Sequence, residues 1–589
     1  MNTLYLLQFS FSLLYVYFSV LPPPHLPTTH TPVLHRENSQ TTMDLLTSQA
    51  LSLGPAWIPV YLMPVDFSHQ HFETAMAHLI REPNINSTVI LRADVLEETI
   101  YNSDGNVEST ASFSPDLPER ESADSENSQL SLLHRDLSDI TLRKVDLVDS
   151  IHLQPDKSVI RRIIPRNPYK DHIINQTCLI HKGPESVLVV YVPHIEKLDE
   201  TPFYLPPVYA VGILYHQNTL SIHYVPFSED NNLRKMDSSE RPIRIALRLL
   251  QTSAKHSLGV KAGYEKRVNH DLVVPRVAFQ NRYIALKKKY SGPLVANWVE
   301  STDPKKHVFE DLAVAAFLIE LWHLRYKDDK NFEFRDLGCG NGLLVHILIL
   351  EGFKGKGIDA RARKSWKTYP TEVQENLLEQ IIIPSVLLKP HPAVTRMAPY
   401  IRDNGRLFQV AEFESRTPSS VPLMKYYSSA NLLELSKVCT TEDFPPNTFL
   451  IGNHLDELTC WLPLLDFPFM VIPCCSHALN GAKIRYNPRK VVNTQTNTKQ
   501  AANVSTYGAL VDHVEELSEK MGWVVEKEIL RIPSTRNAAV IGMKKKEEFA
   551  NEPEEMTELR VFDILAMEGG AEGWVENLML LMKKSPKNH

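Results

Sequence analysis

Residues 332–342 read Phe332-Glu333-Phe334-Arg335-Asp336-Leu337-Gly338-Cys339-Gly340-Asn341-Gly342, and their reading decides the fold of this 589-residue chain. Phe332 to Leu337 has the length and apolar content of a short buried strand. Three glycines at alternate positions follow at once. Leu343 to Leu350 then reads as an apolar helix, and Lys356-Gly357-Ile358-Asp359 as a second short strand ending in an acid. This is a β-loop-α-β unit with a glycine-rich first turn. Without Cβ atoms, those glycines permit a tight turn and let a ligand approach the backbone.

Spacing separates the ligand classes that use such a unit. Dinucleotide sites favour G-x-G-x-x-G, with the pyrophosphate at the helix N-terminus. Here the glycines fall at Gly338, Gly340 and Gly342, and the sixth position is Leu343. Asp336 precedes the turn, where a carboxylate suits a cationic methionine portion and repels a pyrophosphate. Asp359 can accept hydrogen bonds from both ribose hydroxyls of an adenosine. The expected cofactor is therefore S-adenosylmethionine, held by Asp336, Gly338, Gly340, Asn341, Gly342, Asp359 and Asn453. Asp336-Leu-Gly-Cys-Gly-Asn-Gly342 resembles the first motif of the class I methyltransferases.

Thr448 to Asn453 reads as a further strand, ending in the polar cluster Asn453-His454-Leu455-Asp456-Glu457, and Phe469 to Pro473 as another. Val504 to Trp523 has an amphipathic helical pattern. Val524–Ile532 and Ala538–Met543 read as a closing hairpin. This order predicts a mostly parallel sheet with helices on both faces, ending in an antiparallel strand. Ligands in such sheets bind beyond the carboxyl ends of the strands. One cleft would then gather Gly338–Gly342, Asp359, Asn453–Glu457 and Pro473–Ser476. The expected fold is α/β: a class I (Rossmann-like) methyltransferase domain over 296–548, preceded by a smaller α+β N-terminal domain.

The rest of the chain divides by composition. Residues 1–42 hold the apolar run Leu4–Leu21 and a Pro- and His-rich stretch, and read as a non-native or disordered extension with Met43 as the start; a membrane anchor is the alternative. Residues 43–105 read as folded, with a helix around Phe72 to Ile80. Residues 106–145, acidic and Ser-rich over Glu108–Asp139, read as a disordered linker. Residues 146–295 read as an α+β domain whose structure resumes near Ser186, with half-buried strands at Ser186–Pro193 and Val208–Pro226. Residues 549–589 are set apart as a C-terminal tail.

The six cysteines are scattered without framework spacing, which favours a reducing, cytoplasmic compartment. Cys474-Cys475 has no companion at metal-ligand spacing, so it reads as a strand end and no metal is expected. The net charge of -7 hides a basic stretch. Between Arg241 and Tyr290 twelve basic residues, among them Lys266, Arg267, Lys287, Lys288 and Lys289, face only Glu265 and Asp271. Tyr264, His270, Tyr283 and Tyr290 lie among them. Such a patch can neutralise phosphates and stack on unpaired bases, though a solvated helix face has the same composition.

Longer stretches carry a more specific resemblance. Asn297-Trp-Val-Glu-Ser-Thr-Asp-Pro-Lys-Lys-His-Val-Phe-Glu-Asp311, Ile451-Gly-Asn-His-Leu-Asp-Glu-Leu458, Val471-Ile-Pro-Cys-Cys475 and Arg531-Ile-Pro-Ser-Thr535 resemble the tRNA uridine-44 2′-O-methyltransferase family. So do Pro64-Val-Asp-Phe67 and the stretch Asn84 to Thr88. The match runs from about Met43 to about Met543. It implies methyl transfer from S-adenosylmethionine to a uridine 2′-hydroxyl of a tRNA, with serine tRNA the implied substrate class. A partner protein is neither implied nor excluded, and no membrane partner is expected. From location, Asp456 and His454 are the candidate bases, Glu457 could orient them, and Lys483 and Arg485 could hold a flanking phosphate. Two other readings stay open: a silent methyltransferase fold that binds RNA, and a methyltransferase with a non-RNA acceptor.

Overall fold

The computed structural model describes residues 50–113, 137–148, 151–228, 232–265, 269–327, 331–412, 423–481 and 505–583. The chain falls into two compact units. One comprises Met1–Ser112, Arg135–Pro165 and Asp171–Ala262; the other comprises Phe113–His134, Arg166–Lys170 and Gly263–His589.

The first unit is built on eight strands: β1 (Ile58–Pro64), β2 (Ile90–Tyr101), β3 (Val107–Ser112), β4 (Gln154–Pro165), β5 (Ile174–Gly183), β6 (Ser186–Pro193), β7 (Ala210–His216) and β8 (Thr219–Val225). They form one antiparallel sheet in the order β1-β8-β7-β6-β5-β4-β2-β3. Helices α1 (His69–Arg81) and α2 (Arg241–Lys261) cover one face. Their Phe72, Met76, Ile243 and Leu250 share a cluster with Val187, Val189 and Tyr191 of β6.

Alternate residues of β6, Leu188, Val190 and Val192, pack with Leu53 and Trp57 in a second cluster. The strand expected to be half-buried is therefore buried on both faces, because the chain ahead of β1 covers the back of the sheet. The run Val208–Pro226 folds back on itself as β7 and β8. Gln217 and Asn218 turn the corner with φ of 46° and 60°, the left-handed pair that a two-residue hairpin requires.

Two further expectations fail in this unit. Val107–Ser112, assigned to the linker, is β3, an edge strand paired with β2. All six of its residues are exposed, so nothing apolar marks it. Residues 114–136 of the expected linker lie outside the described residues. Strands β4 and β5 precede Ser186, where structure was expected to resume. Buried Arg161 and Arg162 of β4 donate to Gln176 and Asn175 of β5, and these polar pairs interrupt the apolar pattern.

The second unit opens with α3 (Arg276–Ala296), α4 (Pro304–Tyr326), β9 (Glu333–Leu337), α5 (Leu343–Leu350), β10 (Gly355–Asp359) and β11 (Leu377–Glu379). The short strands β12 (Ile381–Ile382), β13 (Leu407–Glu412), β14 (Leu423–Ser428) and β15 (Val438–Cys439) make two side sheets. Then come β16 (Thr448–Asn453), β17 (Phe469–Ile472), α6 (Thr506–Lys520), β18 (Trp523–Ile529), β19 (Ala538–Lys545), α7 (Glu554–Met567) and α8 (Trp574–Lys583). The main sheet runs β11-β10-β9-β16-β17-β19-β18. Its first five strands are mutually parallel, and β19 is antiparallel to both neighbours.

One face of this sheet packs on α3, α4 and α5, where Trp322 sits among Phe332, Phe334, Phe353 and Phe449. The other face packs on α6, α7 and α8. The segment set apart as a tail thus supplies two helices of the core. Trp574, fully buried, packs against Trp461 at 5.2 Å between ring centres. The basic stretch is also divided: Arg241–Lys261 is α2 of the first unit, whereas α3 belongs to the second. Phe279, Leu286 and Tyr290 draw α3 there by joining the second unit's core.

Arg531 of the Arg-Ile-Pro-Ser-Thr stretch makes two hydrogen bonds to Asp271, at 2.8 and 2.6 Å. Beside it, buried Glu528 accepts the backbone N–H groups of Asp271, Leu272 and Val273. Among the described residues no helix is long and apolar enough to cross a membrane; Leu4–Leu21 lies outside them.

Candidate active site

The five parallel strands all end on one edge, and the chain leaves that edge through the residues singled out in the sequence. At the end of β9, Gly338, Gly340 and Gly342 have φ of 69°, 54° and 74°. These left-handed conformations are strained for any residue with a Cβ. The amides of Gly338 and Cys339 both donate to the carbonyl of Ile358, which ties the loop to β10. Gly342 caps α5, and Asn341 Oδ1 accepts the Leu343 amide at 2.9 Å.

The segment after β10 locks this loop from outside. Trp366 Nε1 donates to the carbonyl of Gly340 at 2.9 Å, while Ser365 Oγ and Tyr369 Oη donate to that of Asn341 at 2.8 and 3.1 Å. Preorganisation of this kind lowers the entropic cost of binding. Asp359, at the end of β10, accepts the amides of Gly340 and Arg361, each at 3.0 Å.

A second group of acids enters from α4. Asn453 Nδ2 donates to Asp311 Oδ1 at 3.3 Å, and His454 Nε2 lies 2.9 Å from Glu310 Oε1. Burial, and then Asp311 and Asp359, push Asp336 well above the ordinary carboxylate range. Burial and Glu310 carry Asp311 up to about 7, partly offset by His454. Burial raises Asp359, against hydrogen bonds and arginines that lower it. Carboxylates held this close resist ionising together. A cation among them removes the conflict.

His454 and Asp456 both carry left-handed backbone, with φ of 58° and 49°. Such outliers in residues with side chains mark sites whose surroundings hold them in place. Cys474 Sγ donates to Asp456 Oδ1 at 3.1 Å, and burial together with that carboxylate pushes the thiol up. The donor atoms of Asp456, Cys474 and Cys475 lie within 4.8 Å of one another, a grouping not anticipated for a plain strand end.

The carboxylate on His454 is thus Glu310, and Glu457 borders a small cavity beside Gly481 and Trp574. Of the basic residues, Lys289 pairs with Glu351 at 2.8 Å, Lys287 is half-buried and Lys288 is exposed. Lys266, Arg267, Lys483 and Arg485 lie outside the described residues. A cavity of about 1100 Å³ lies elsewhere in this unit, lined by Arg335, Lys356, Arg396 and Glu558 among others.

Sequence reasoning missed Glu310, Asp311, Ser365, Trp366 and Tyr369. The first two had a signal: adjacent acids at the head of an otherwise apolar helical run, Leu312–Ile319. The residues present fit S-adenosylmethionine. A Cβ on Gly340 would meet only the Gly338 carbonyl, at 4.0 Å, so the loop opens onto free space. Asn453 Oδ1 is buried without a partner, and the carboxylates suit a cationic ligand.

Comparison with known proteins agrees. A family model described as "TRM44-like, N-terminal bet v1-like domain" matches residues 28–267, beginning ahead of Met43. A second, "Predicted AdoMet-dependent methyltransferase", matches residues 273–384. A relative from Debaryomyces hansenii, named tRNA (uracil-O(2)-)-methyltransferase, is 60% identical, covering 93% of this chain and 98% of its own. Relatives of the same name from Saccharomyces cerevisiae and Schizosaccharomyces pombe are 52% and 35% identical, covering 91% and 89% of this chain and 95% and 92% of their own. No solved structure matches. With relatives this similar over nearly their whole length, the chain belongs to the tRNA (uracil-O(2)-)-methyltransferase family.

Proposed function

We propose that this chain transfers a methyl group from S-adenosylmethionine to the 2′-hydroxyl of a tRNA uridine, at position 44 of serine tRNA. The observation that carries the reading is the convergence of the glycine turn, Asp359 and the Glu310–His454 pair at one edge of the parallel sheet. The strand order, with antiparallel β19 inserted between β17 and β18, supports a class I (Rossmann-like) fold. When bound, S-adenosylmethionine supplies an electrophilic methyl on a sulfonium.

This chain's residues bind, orient and take the proton. Asp359 would accept the ribose hydroxyls, and Asp336 and Asp311 would face the cationic methionine portion. A neutral His454 that donates from Nε2 to Glu310 carries its lone pair on Nδ1. That nitrogen is the base we assign, ahead of Asp456, whose carboxylate already accepts the Cys474 thiol. Asp336, Asp311 and Asp359 would hold the cofactor so that it presents that methyl to the 2′-oxygen, with the electron pair of the broken carbon–sulfur bond left on sulfur. The hydroxyl proton passes to His454 Nδ1 and then to water. Positioning supplies most of the rate, and the base contributes roughly 10²–10⁴-fold.

The test is incorporation of label from methyl-labelled S-adenosylmethionine with bulk tRNA lacking the modification. Label in the tRNA fraction, lost in Asp359→Ala, supports the reading. Cofactor binding without label in any tRNA defeats it.

A further inference from the structure

We propose that the cavity of the first unit is a nucleotide pocket, in which Tyr191 and Asn86 meet the base and a row of arginines on α2 meets the phosphate. This rests on the reading of the chain as an RNA-modifying enzyme for its choice of ligand source, but on its own residues for its chemistry.

The cavity holds about 280 Å³ between the sheet and α2. That is near the lower end of the roughly 300–1,000 Å³ of small-molecule pockets. Its lining contains four arginines, Arg161, Arg241, Arg244 and Arg248, and no acid, in a chain with seventy acids against sixty-three lysines and arginines. Arg161 is 4% exposed, and its hydrogen-bond partners are neutral: Gln176 and the carbonyls of Leu79 and Ile80. A buried guanidinium held only by neutral groups leaves a positive field that favours an anion. Arg244 and Arg248 are exposed on the same helix, at spacings that align them with Arg241.

Two residues of the lining carry buried polar atoms without partners. Tyr191 lines the cavity and is only 8% exposed, yet its hydroxyl has no hydrogen-bond partner among the described residues. Asn86 Oδ1, also in the lining, is likewise buried and unpaired. Each such orphan is destabilising, and a ligand that pairs them relieves that cost. The ligand must offer a hydrogen-bond donor to Asn86, a polar edge to Tyr191, an anionic group to the arginines and a flat face. Phe203, 72% exposed at the rim, stacks on the Arg241 guanidinium at 4.7 Å and offers a further aromatic surface. A nucleotide has all four features. It is either one nucleotide of the RNA acceptor or a free nucleotide.

The test uses the full chain and fluorescently labelled unmodified tRNA, with uridine monophosphate and inorganic phosphate as competitors. Variants are the double change Arg244→Glu with Arg248→Glu, Tyr191→Phe, and Lys255→Glu as an exposed reversal on the same helix outside the cavity lining. We expect the double variant to weaken tRNA binding about tenfold or more, and Lys255→Glu by much less. Tyr191→Phe should weaken binding several-fold while its Tm stays level or rises, since it deletes an orphaned hydroxyl. Loss of tRNA affinity without competition by uridine monophosphate places the nucleotide in the RNA. Competition abolished in the double variant identifies a free nucleotide. Equal losses in the double variant and Lys255→Glu, with Tyr191→Phe binding as wild type, overturn the proposal. S-adenosylmethionine affinity should not change in any variant. Failure of methyl transfer with this binding intact would sink the proposed function and not the pocket.

Discussion

Replacing Asp359 by alanine probes the cofactor site with the fewest side effects. The carboxylate sits at the end of β10, and each oxygen already accepts one amide, from Gly340 and Arg361, at 3.0 Å. Carboxylate oxygens retain further acceptor capacity for two ribose hydroxyls. Hydrogen bonds to a charged acceptor contribute about 1.5–3 kcal/mol each. With both oxygens partly engaged the lower figure applies, so two bonds give about 3 kcal/mol, or about a hundredfold in Kd. Stability should move little: losing two amide contacts is offset by removing a carboxylate that burial already raises above its ordinary range. The assay is calorimetric titration with S-adenosylmethionine beside a thermal melt. A Kd within threefold of wild type, with an unchanged melt, would refute the assignment of Asp359 to the ribose.

Other outcomes follow from the same geometry. Asp311 sits at about 7 in the free protein; a cationic ligand favours its ionised form, so binding releases protons and affinity rises with pH across roughly 6 to 8. Titrations in buffers of different ionisation enthalpy measure that release, and a flat affinity with none would remove Asp311 from the cation's surroundings. His454→Ala should lower kcat by roughly 10²–10⁴-fold with cofactor affinity intact, and Glu310→Gln should lower it less while shifting the pH–rate profile. An unaffected kcat in His454→Ala would return the base to Asp456. Trp574→Ala should cost about 3–5 kcal/mol in denaturant unfolding, because this side chain is fully buried against Trp461; a surface-like loss below about 0.5 kcal/mol would detach α8 from the core.

The glycine turn was legible because its chemistry is local. Gly338–Gly342 must turn tightly after a strand, and Leu343–Leu350 and Asp359 fall where the unit requires them. The strands carrying Asn453 and Phe469 were readable for the same reason: short, fully apolar runs ending in polar residues. What the sequence hid was relational. Glu310 and Asp311 reach the cleft from a helix well before the turn, and adjacent acids on a helix carry no sign of which strand end they will meet. β3 resembled linker because an exposed edge strand needs no apolar face. β4 was masked by Arg161 and Arg162, whose partners lie on a neighbouring strand. Residues 549–589 looked like a tail because Trp574 reveals its role only against Trp461.

The central claim is that the transferred methyl ends on a ribose oxygen of tRNA. The direct measurement is alkaline hydrolysis of tRNA labelled by this chain, because a 2′-O-methyl blocks cleavage of the adjoining phosphodiester. Label is expected in a single alkali-resistant dinucleotide with uridine at its 5′ side, absent with Asp359→Ala. Label released in ordinary mononucleotides would place the methyl on a base and contradict it.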